Sequence, residues 1–208
     1  MSVSEYHVLP LSCKSKSVVN VSYFNQLLSN HIRVSYIFHR MNILSIIHNI
    51  FRKKSGTVVD TTPQRGISLP RYMGRWYEQA RFENWFESGM DFVYTDYSSG
   101  PDGSINVINC GTSLNGRQSV STGRGFPGGF GRMRISFVPP YGWFQAPYHI
   151  LYVDSGYETA LVSGEGDSYL WLLTRQQHPD ADQLVPLIQE AQRRGFDTTQ
   201  LRYTNQIH

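Results

Sequence analysis

The residues able to carry chemistry are few and dispersed. Four of the seven histidines fall in the first 60 residues. His149, His178 and His208 stand far apart, so no pair has metal-ligand spacing. Cys13 and Cys110 are too few for a disulfide framework. No Gly-x-Ser-x-Gly elbow is present. Gly123-Arg124-Gly125-Phe126-Pro127-Gly128 matches G-x-G-x-x-G in letters. A phosphate cradle needs those glycines to open a helix, but Pro127 interrupts them and strand-like runs lie on both sides, so the segment reads as a hairpin. Glu78 remains. With Trp76 facing inward, period-two alternation also puts Glu78, Ala80 and Phe82 on the inner face. A buried carboxylate needs a partner, either a ligand's polar head or an internal Arg or Tyr. One acid without a nucleophile makes no active site. The sequence therefore predicts no enzyme, no catalytic residue, no metal and no cofactor.

The charge is divided unevenly. Residues 1–60 hold seven Lys and Arg against two acids, a net +5, while residues 61–208 hold twelve Arg and no Lys against fourteen acids, a net −2. Those arginines are scattered among strands, so no basic footprint for nucleic acid is present.

The elements that must position these residues are short alternating runs. They cover Trp76 to Phe82, Phe92 to Tyr97, Ser104 to Thr112, Arg117 to Phe126, Arg132 to Val138, Tyr148 to Asp154, Thr159 to Ser163 and Ser168 to Arg175. Gly100-Pro101-Asp102-Gly103, Asn115-Gly116 and Pro127-Gly128-Gly129 mark turns between them. Eight antiparallel strands in sequence order predict an all-β, up-and-down barrel, with a two-sheet sandwich as its rival. Leu184, Leu187, Ile188 and Ala191 form the apolar stripe of one C-terminal helix packed outside. Asp180 and Asp182 favour its start and Gly195 its end, and Pro186 requires a place near the first turn. Leu201 to Thr204 is a candidate last strand.

Residues 1–66 read as an N-terminal extension and linker, with the globular domain at 67–208. Pro10-Leu11-Ser12-Cys13 outlines a lipoprotein cleavage box, but no basic residue precedes it and Pro10 stands where Leu is expected. Ile43, Ile46, Ile47, Ile50 and Phe51 recur at helical spacing before Arg52-Lys53-Lys54. An amphipathic helix over 42–54 would suit an anionic membrane surface, and a translated leader upstream of a start at Met41 is the other reading.

Gly74-Arg75-Trp76-Tyr77-Glu78 is similar to the first signature of the lipocalin family. Arg71 to Phe82, Asn106 to Asn109 and Tyr169 to Arg175 resemble its bacterial outer-membrane branch (the Blc type) and the apolipoprotein D relatives. Val153 to Leu161 resembles that branch's second signature, with Asp154 and Tyr157. Thr95-Asp96-Tyr97 spells the usual second signature but lies on the second strand, where it does not belong. The resemblance implies a calyx, a fatty acid or lysophospholipid ligand, lipid storage or transport for envelope maintenance, and an outer-membrane location. It is compatible with a homodimer. Gly74, Trp76, Asp154, Tyr157 and Arg175 are the structural signature, and the Arg175 guanidinium is expected to stack on Trp76 and plug one end.

Alternation from these anchors assigns the calyx lining. The first two strands give Glu78, Phe82, Val93, Thr95 and Tyr97, and the third gives Ile105, Val107 and Asn109. Phe126 lies near a rim. Met133, Ile135 and Phe137 follow on the fifth strand, Tyr148, Ile150 and Tyr152 on the sixth, and Trp171 and Leu173 on the eighth. Asp154, Tyr169 and Arg175 share the inward register. A solidly filled core is the alternative to a cavity. Tyr141, Trp143 and Phe144 on the 139–147 loop offer contact with a membrane, a ligand or a second subunit, or fold back as a lid. The function classes left open are a lipid carrier, a non-catalytic interaction scaffold, and a lipid-modifying enzyme on the same fold.

Overall fold

A computed structural model describes residues 58–113, 115–137 and 145–206. The 42–54 helix, Cys13 and the aromatics Tyr141, Trp143 and Phe144 lie outside the described residues.

A one-turn helix α1 (Leu69–Tyr72) leads into β1 (Gly74–Phe82). Then come β2 (Met90–Ser99), β3 (Ile105–Ser113), β4 (Gln118–Gly129) and β5 (Arg132–Ser136). Next are β6 (Ala146–Val153), β7 (Thr159–Ser163) and β8 (Leu170–Thr174). Helix α2 (Ala181–Arg193), a 3-10 turn (Thr198–Gln200) and β9 (Leu201–Tyr203) end the fold. Every pairing is antiparallel, in the order β2-β3-β4-β5-β6-β7-β8-β1-β9, with β1 also paired to β2. The ladder is continuous and closed, which sets aside the two-sheet sandwich.

Closure is shared along β1. Gly74 to Tyr77 pair with β2, and Ala80 to Phe82 pair with β9. Where β1 and β2 separate, the C-terminal segment fills the seam. Phe92 N–H donates to Asn205 O (2.7 Å), and Gln206 Nε2 donates to Glu78 O (2.6 Å) and Val93 O (2.9 Å).

Four register shifts interrupt the ladders, and two of them, in β1 and β6, exchange predicted lining residues. Glu78 pairs with Leu173 but Ala80 with Leu172, so Gln79 is extra. Ile150 pairs with Val162 but Tyr152 with Leu161, so Leu151 is extra. An extra residue moves every later side chain to the other face. One apolar cluster accordingly fills the barrel interior, including Trp76, Val107, Met133, Ile150 and Leu173. A second, including Ala80, Phe82, Leu151, Leu161, Leu172, Leu187 and Ala191, lies beneath α2.

Helix α2 runs through Pro186, one turn deeper than the sequence allowed. Its apolar stripe on the barrel wall holds it in place. Arg194 caps it, and Gly195 follows at φ +87. The Arg194 guanidinium ties the helix to the barrel, donating to Leu151 O (2.8 Å) and Thr62 O (2.8 Å).

Candidate ligand-binding site

The strand ends beside α1 form the closed end. Trp76 is fully buried there, and its indole N–H donates to Tyr72 O (2.8 Å). The Arg175 guanidinium lies 3.9 Å from the Trp76 ring. It also donates to the carbonyls of Arg75 (2.7 Å), Met73 (2.8 Å), Arg71 (3.0 Å), Tyr72 (3.1 Å) and Tyr157 (3.2 Å). One side chain thus gathers the chain ends that would otherwise splay apart. Gly74 adopts φ +99, and a Cβ there would stand 3.1 Å from Arg175 Nη1.

The β6–β7 turn abuts this floor. The Asp154 carboxylate does not enter the barrel. It accepts from the backbone N–H groups of Gly156 (2.9 Å), Glu158 (2.8 Å) and Thr159 (2.6 Å). Tyr157, at φ +63, accepts from Ser68 N–H (2.7 Å) and stacks beneath Arg71 (4.2 Å).

Above the floor the barrel interior is apolar around three phenols. Tyr97 O–H donates to Tyr148 (2.9 Å), and Tyr148 and Tyr72 share a 2.7 Å bond. Burial raises all three above the ordinary tyrosine range, Tyr97 to about 12.

The opposite end is polar. Arg81, fully buried, pairs with Glu78 and donates to Glu87 O (2.6 Å). Glu87 belongs to the β1–β2 loop, and its carboxylate accepts from Trp171 Nε1 (3.0 Å) and Asn84 Nδ2 (2.6 Å). Asn109 Nδ2 approaches it at 3.5 Å. Thr204 donates to Glu78. Burial, together with the Glu87 charge, pushes the Glu78 carboxyl up to about 7, against the opposing pull of Arg81 and Thr204. Phe86 stacks on Tyr169 (6.1 Å) and Tyr169 on Trp171 (5.9 Å), so an aromatic column descends from the rim. Trp85 and Phe86 on the loop are 67% and 44% exposed.

The structure brings Tyr97, Ile105, Val107, Met133, Ile135, Tyr148, Ile150 and Leu173 together in the interior, with Trp171 packed against them. Val93 packs beside Gly111, and Thr95 shares a hydrogen bond with Tyr97. Three predicted lining residues are placed elsewhere. Phe82 follows the bulge at Gln79 and packs on Phe196 beneath α2. Tyr152 follows the bulge at Leu151 and packs against the same outer cluster. Phe126 alternates outward, since Gly123 and Gly125 face the barrel interior, and its ring lies 5.8 Å from the Arg124 guanidinium. Phe137 lies over Gly123 at the rim, 39% exposed. Sequence reasoning missed Arg81 and Val153, which the bulges turn inward, and Tyr72 and Glu87, which reach the barrel from a helix and a loop. Only Arg81 left a signal, as an internal partner required by Glu78.

A family model described as a lipocalin-like domain matches residues 67–206. The chain is 34% identical over 152 residues to the outer membrane lipoprotein Blc of Escherichia coli K12, covering 70% of this chain and 86% of that protein. It is 33% identical over 152 residues to temperature-induced lipocalin-1 of Arabidopsis thaliana, covering 68% and 81%. Among solved structures it resembles the cockroach major allergen Per a 4 (TM-score 0.57, 17% identity, 74% and 94% covered). It also resembles H1 crustacyanin of the lobster Homarus americanus (TM-score 0.57, 20% identity, 73% and 89% covered). At these identities the structural likeness speaks for the fold.

Proposed function

The chain belongs to the lipocalin family, and from that premise we propose that it is a non-catalytic carrier of a small, apolar, lipid-like molecule. The observation that carries this reading is an apolar interior in a barrel plugged at one end by Trp76 and Arg175. Such a lumen suits an acyl chain entering from the other end. The ligand class is fatty acids or lysophospholipids, stored or moved in envelope upkeep. Relatives named as outer membrane lipoproteins support an envelope location. The aromatics Trp85, Phe86 and Phe137, exposed at the open end, support contact with a membrane surface there. Residues 58–66 pack on the barrel as part of the ligand-binding domain, where Gln64 donates from Nε2 to Val153 O (3.2 Å) and accepts from Val153 N–H (2.8 Å).

Trp171 stands at the mouth, so tryptophan fluorescence reports entry. Titration with lysophosphatidylcholine gives a saturable change, and native mass spectrometry finds bound lipid after gentle extraction. No saturation and no bound lipid overturn the carrier reading. Turnover of the added lipid favours an enzyme instead.

A further inference from the structure

The charges of the barrel domain are segregated. Between Gly103 and Val153 the sequence holds four arginines and no acid, so the run that forms β3 to β6 carries +4. The rest of residues 61–208 holds eight arginines against fourteen acids, a net −6. One wall of an acidic domain is therefore basic. Two acids approach it from outside. Asp102 pairs with Arg124, and Glu165 acts on His149 at the β6 edge. Met133 and Ile135 face the interior, so Arg132 and Arg134 between and beside them face outward. Both are exposed, and neither makes an ion pair among the described residues.

The tip of the β4–β5 hairpin adds an aromatic in an unusual place. Gly129, Phe130 and Gly131 follow one another at φ +78, +49 and +73. Glycine or asparagine is the ordinary residue in that left-handed region, and a bulky ring there is strained. Phe130 is nevertheless 72% exposed, so little packing on the barrel offsets the strain. Strain that local packing does not account for is a mark of binding surfaces. Phe126 lies on the same outer face, directly opposite Arg134.

We propose that the outer wall of the β4–β5 hairpin docks the side of the barrel on an anionic phospholipid bilayer, with Phe130 at its tip and Arg132 and Arg134 beside it. The arginines meet lipid phosphates, and the Phe130 ring wedges among the headgroups. A convex tip with one projecting ring offers no groove to a folded partner, whereas a headgroup layer accepts a wedge. This contact is apart from the rim aromatics Trp85, Phe86 and Phe137, and it does not depend on the carrier reading.

The test uses the full chain and unilamellar vesicles of phosphatidylcholine, alone or with about one-third phosphatidylglycerol. Co-sedimentation shows binding to the anionic vesicles about 10-fold or more above the neutral ones, and added salt weakens it. Phe130→Asn, which suits the left-handed tip, lowers partitioning about 10-fold, the low end for burying a phenylalanine side chain. Arg132→Gln with Arg134→Gln lowers it about 5-fold for each charge removed. Trp85→Ala with Phe86→Ala leaves it within about twofold. Residues 1–60 carry their own net +5, so the contact is also read at the tip itself. With 4-benzoylphenylalanine in place of Phe130, irradiation on the anionic vesicles joins the chain to phosphatidylglycerol, seen as one added lipid mass. A chain that sediments with the vesicles but yields no lipid adduct is anchored elsewhere, which overturns the proposal. Undiminished binding by Phe130→Asn and by the double arginine variant overturns it too, as does wild type that binds neither vesicle. Lysophosphatidylcholine titration of the same proteins judges the carrier reading separately, and its failure in wild type overturns that reading alone.

Discussion

Replacing Arg175 with Ala is expected to destabilise the barrel far more than it weakens binding. The guanidinium stacks on Trp76 at 3.9 Å. A partly desolvated contact of this kind is worth about 1–2 kcal/mol. The same group donates to five carbonyls on α1, β1 and the β6–β7 turn. A hydrogen bond from a charged donor contributes about 1.5–3 kcal/mol, and bonds that share one guanidinium do not add. A loss of roughly 3–4 kcal/mol follows from the stack and the equivalent of one strong bond. In a domain of this size that lowers Tm by about 8–12 °C. Differential scanning calorimetry measures the shift, and a lysolipid titration below the transition measures binding, which changes less than about threefold because Arg175 lies behind Trp76. Arg175→Lys restores less than half of the loss, since an ammonium cannot fork to several carbonyls. A Tm within 3 °C of wild type, or full rescue by Lys, would refute the floor's dependence on this side chain.

Glu78→Gln is expected to flatten the pH dependence of stability. In the folded protein the carboxyl titrates near 7, above its ordinary 4.5. The stability it contributes is therefore full below about pH 4.5 and lost as pH rises through 7, a difference of about 3 kcal/mol. Urea unfolding at pH 5 and pH 8 shows a larger drop for wild type than for the variant, and equal drops refute the assignment. Asp154→Ala removes the acceptor for three backbone N–H groups and costs about 2–4 kcal/mol in chemical denaturation. A change below 1 kcal/mol would show the turn holding itself. Gly123→Val places carbon where even a Cβ meets Phe137 and Ser136 O at 2.8 Å. It costs about 1–3 kcal/mol and shifts the Phe137 ring, visible in aromatic NMR, whereas an unshifted ring and wild-type Tm would show that β4 has room.

The strand order was legible because turn residues punctuate it at Gly100-Pro101-Asp102-Gly103 and Asn115-Gly116, and because alternation survives between them. Trp76 facing Arg175 was legible from the resemblance and the cation–aromatic chemistry. Alternation failed at Phe82 and Tyr152, each of which follows a bulge. A bulge is a property of two strands paired, and neither Gln79 nor Leu151 marks one in isolation. Phe126 failed for another reason. On β4 the inward positions Gly123 and Gly125 carry no side chain, so the sequence offered the outward aromatic in their place. Glu87 and Tyr72 belong to a loop and a one-turn helix, where strand periodicity says nothing about direction.

The bulge at Gln79 also explains how the mouth tolerates its acids. Had β1 stayed in register, Arg81 would point away from the interior and Phe82 into it. Glu78 and Glu87 would then be buried together with no cation between them, an arrangement of like charges in a poor dielectric. The extra residue exchanges an aromatic for a guanidinium, and that guanidinium holds the Glu78 carboxylate and the Glu87 carbonyl at once. The exchange costs no apolar burial, because Phe82 packs instead on Phe196 beneath α2. One backbone irregularity thus fits the β1–β2 loop to the mouth and α2 to the wall. The floor has no such neutralisation. There the Arg175 guanidinium is held by five backbone carbonyls, with no carboxylate at ion-pair distance among the described residues. At the mouth Arg81 pairs with Glu78 and Glu87, and Arg202 with Glu83 and Asp91.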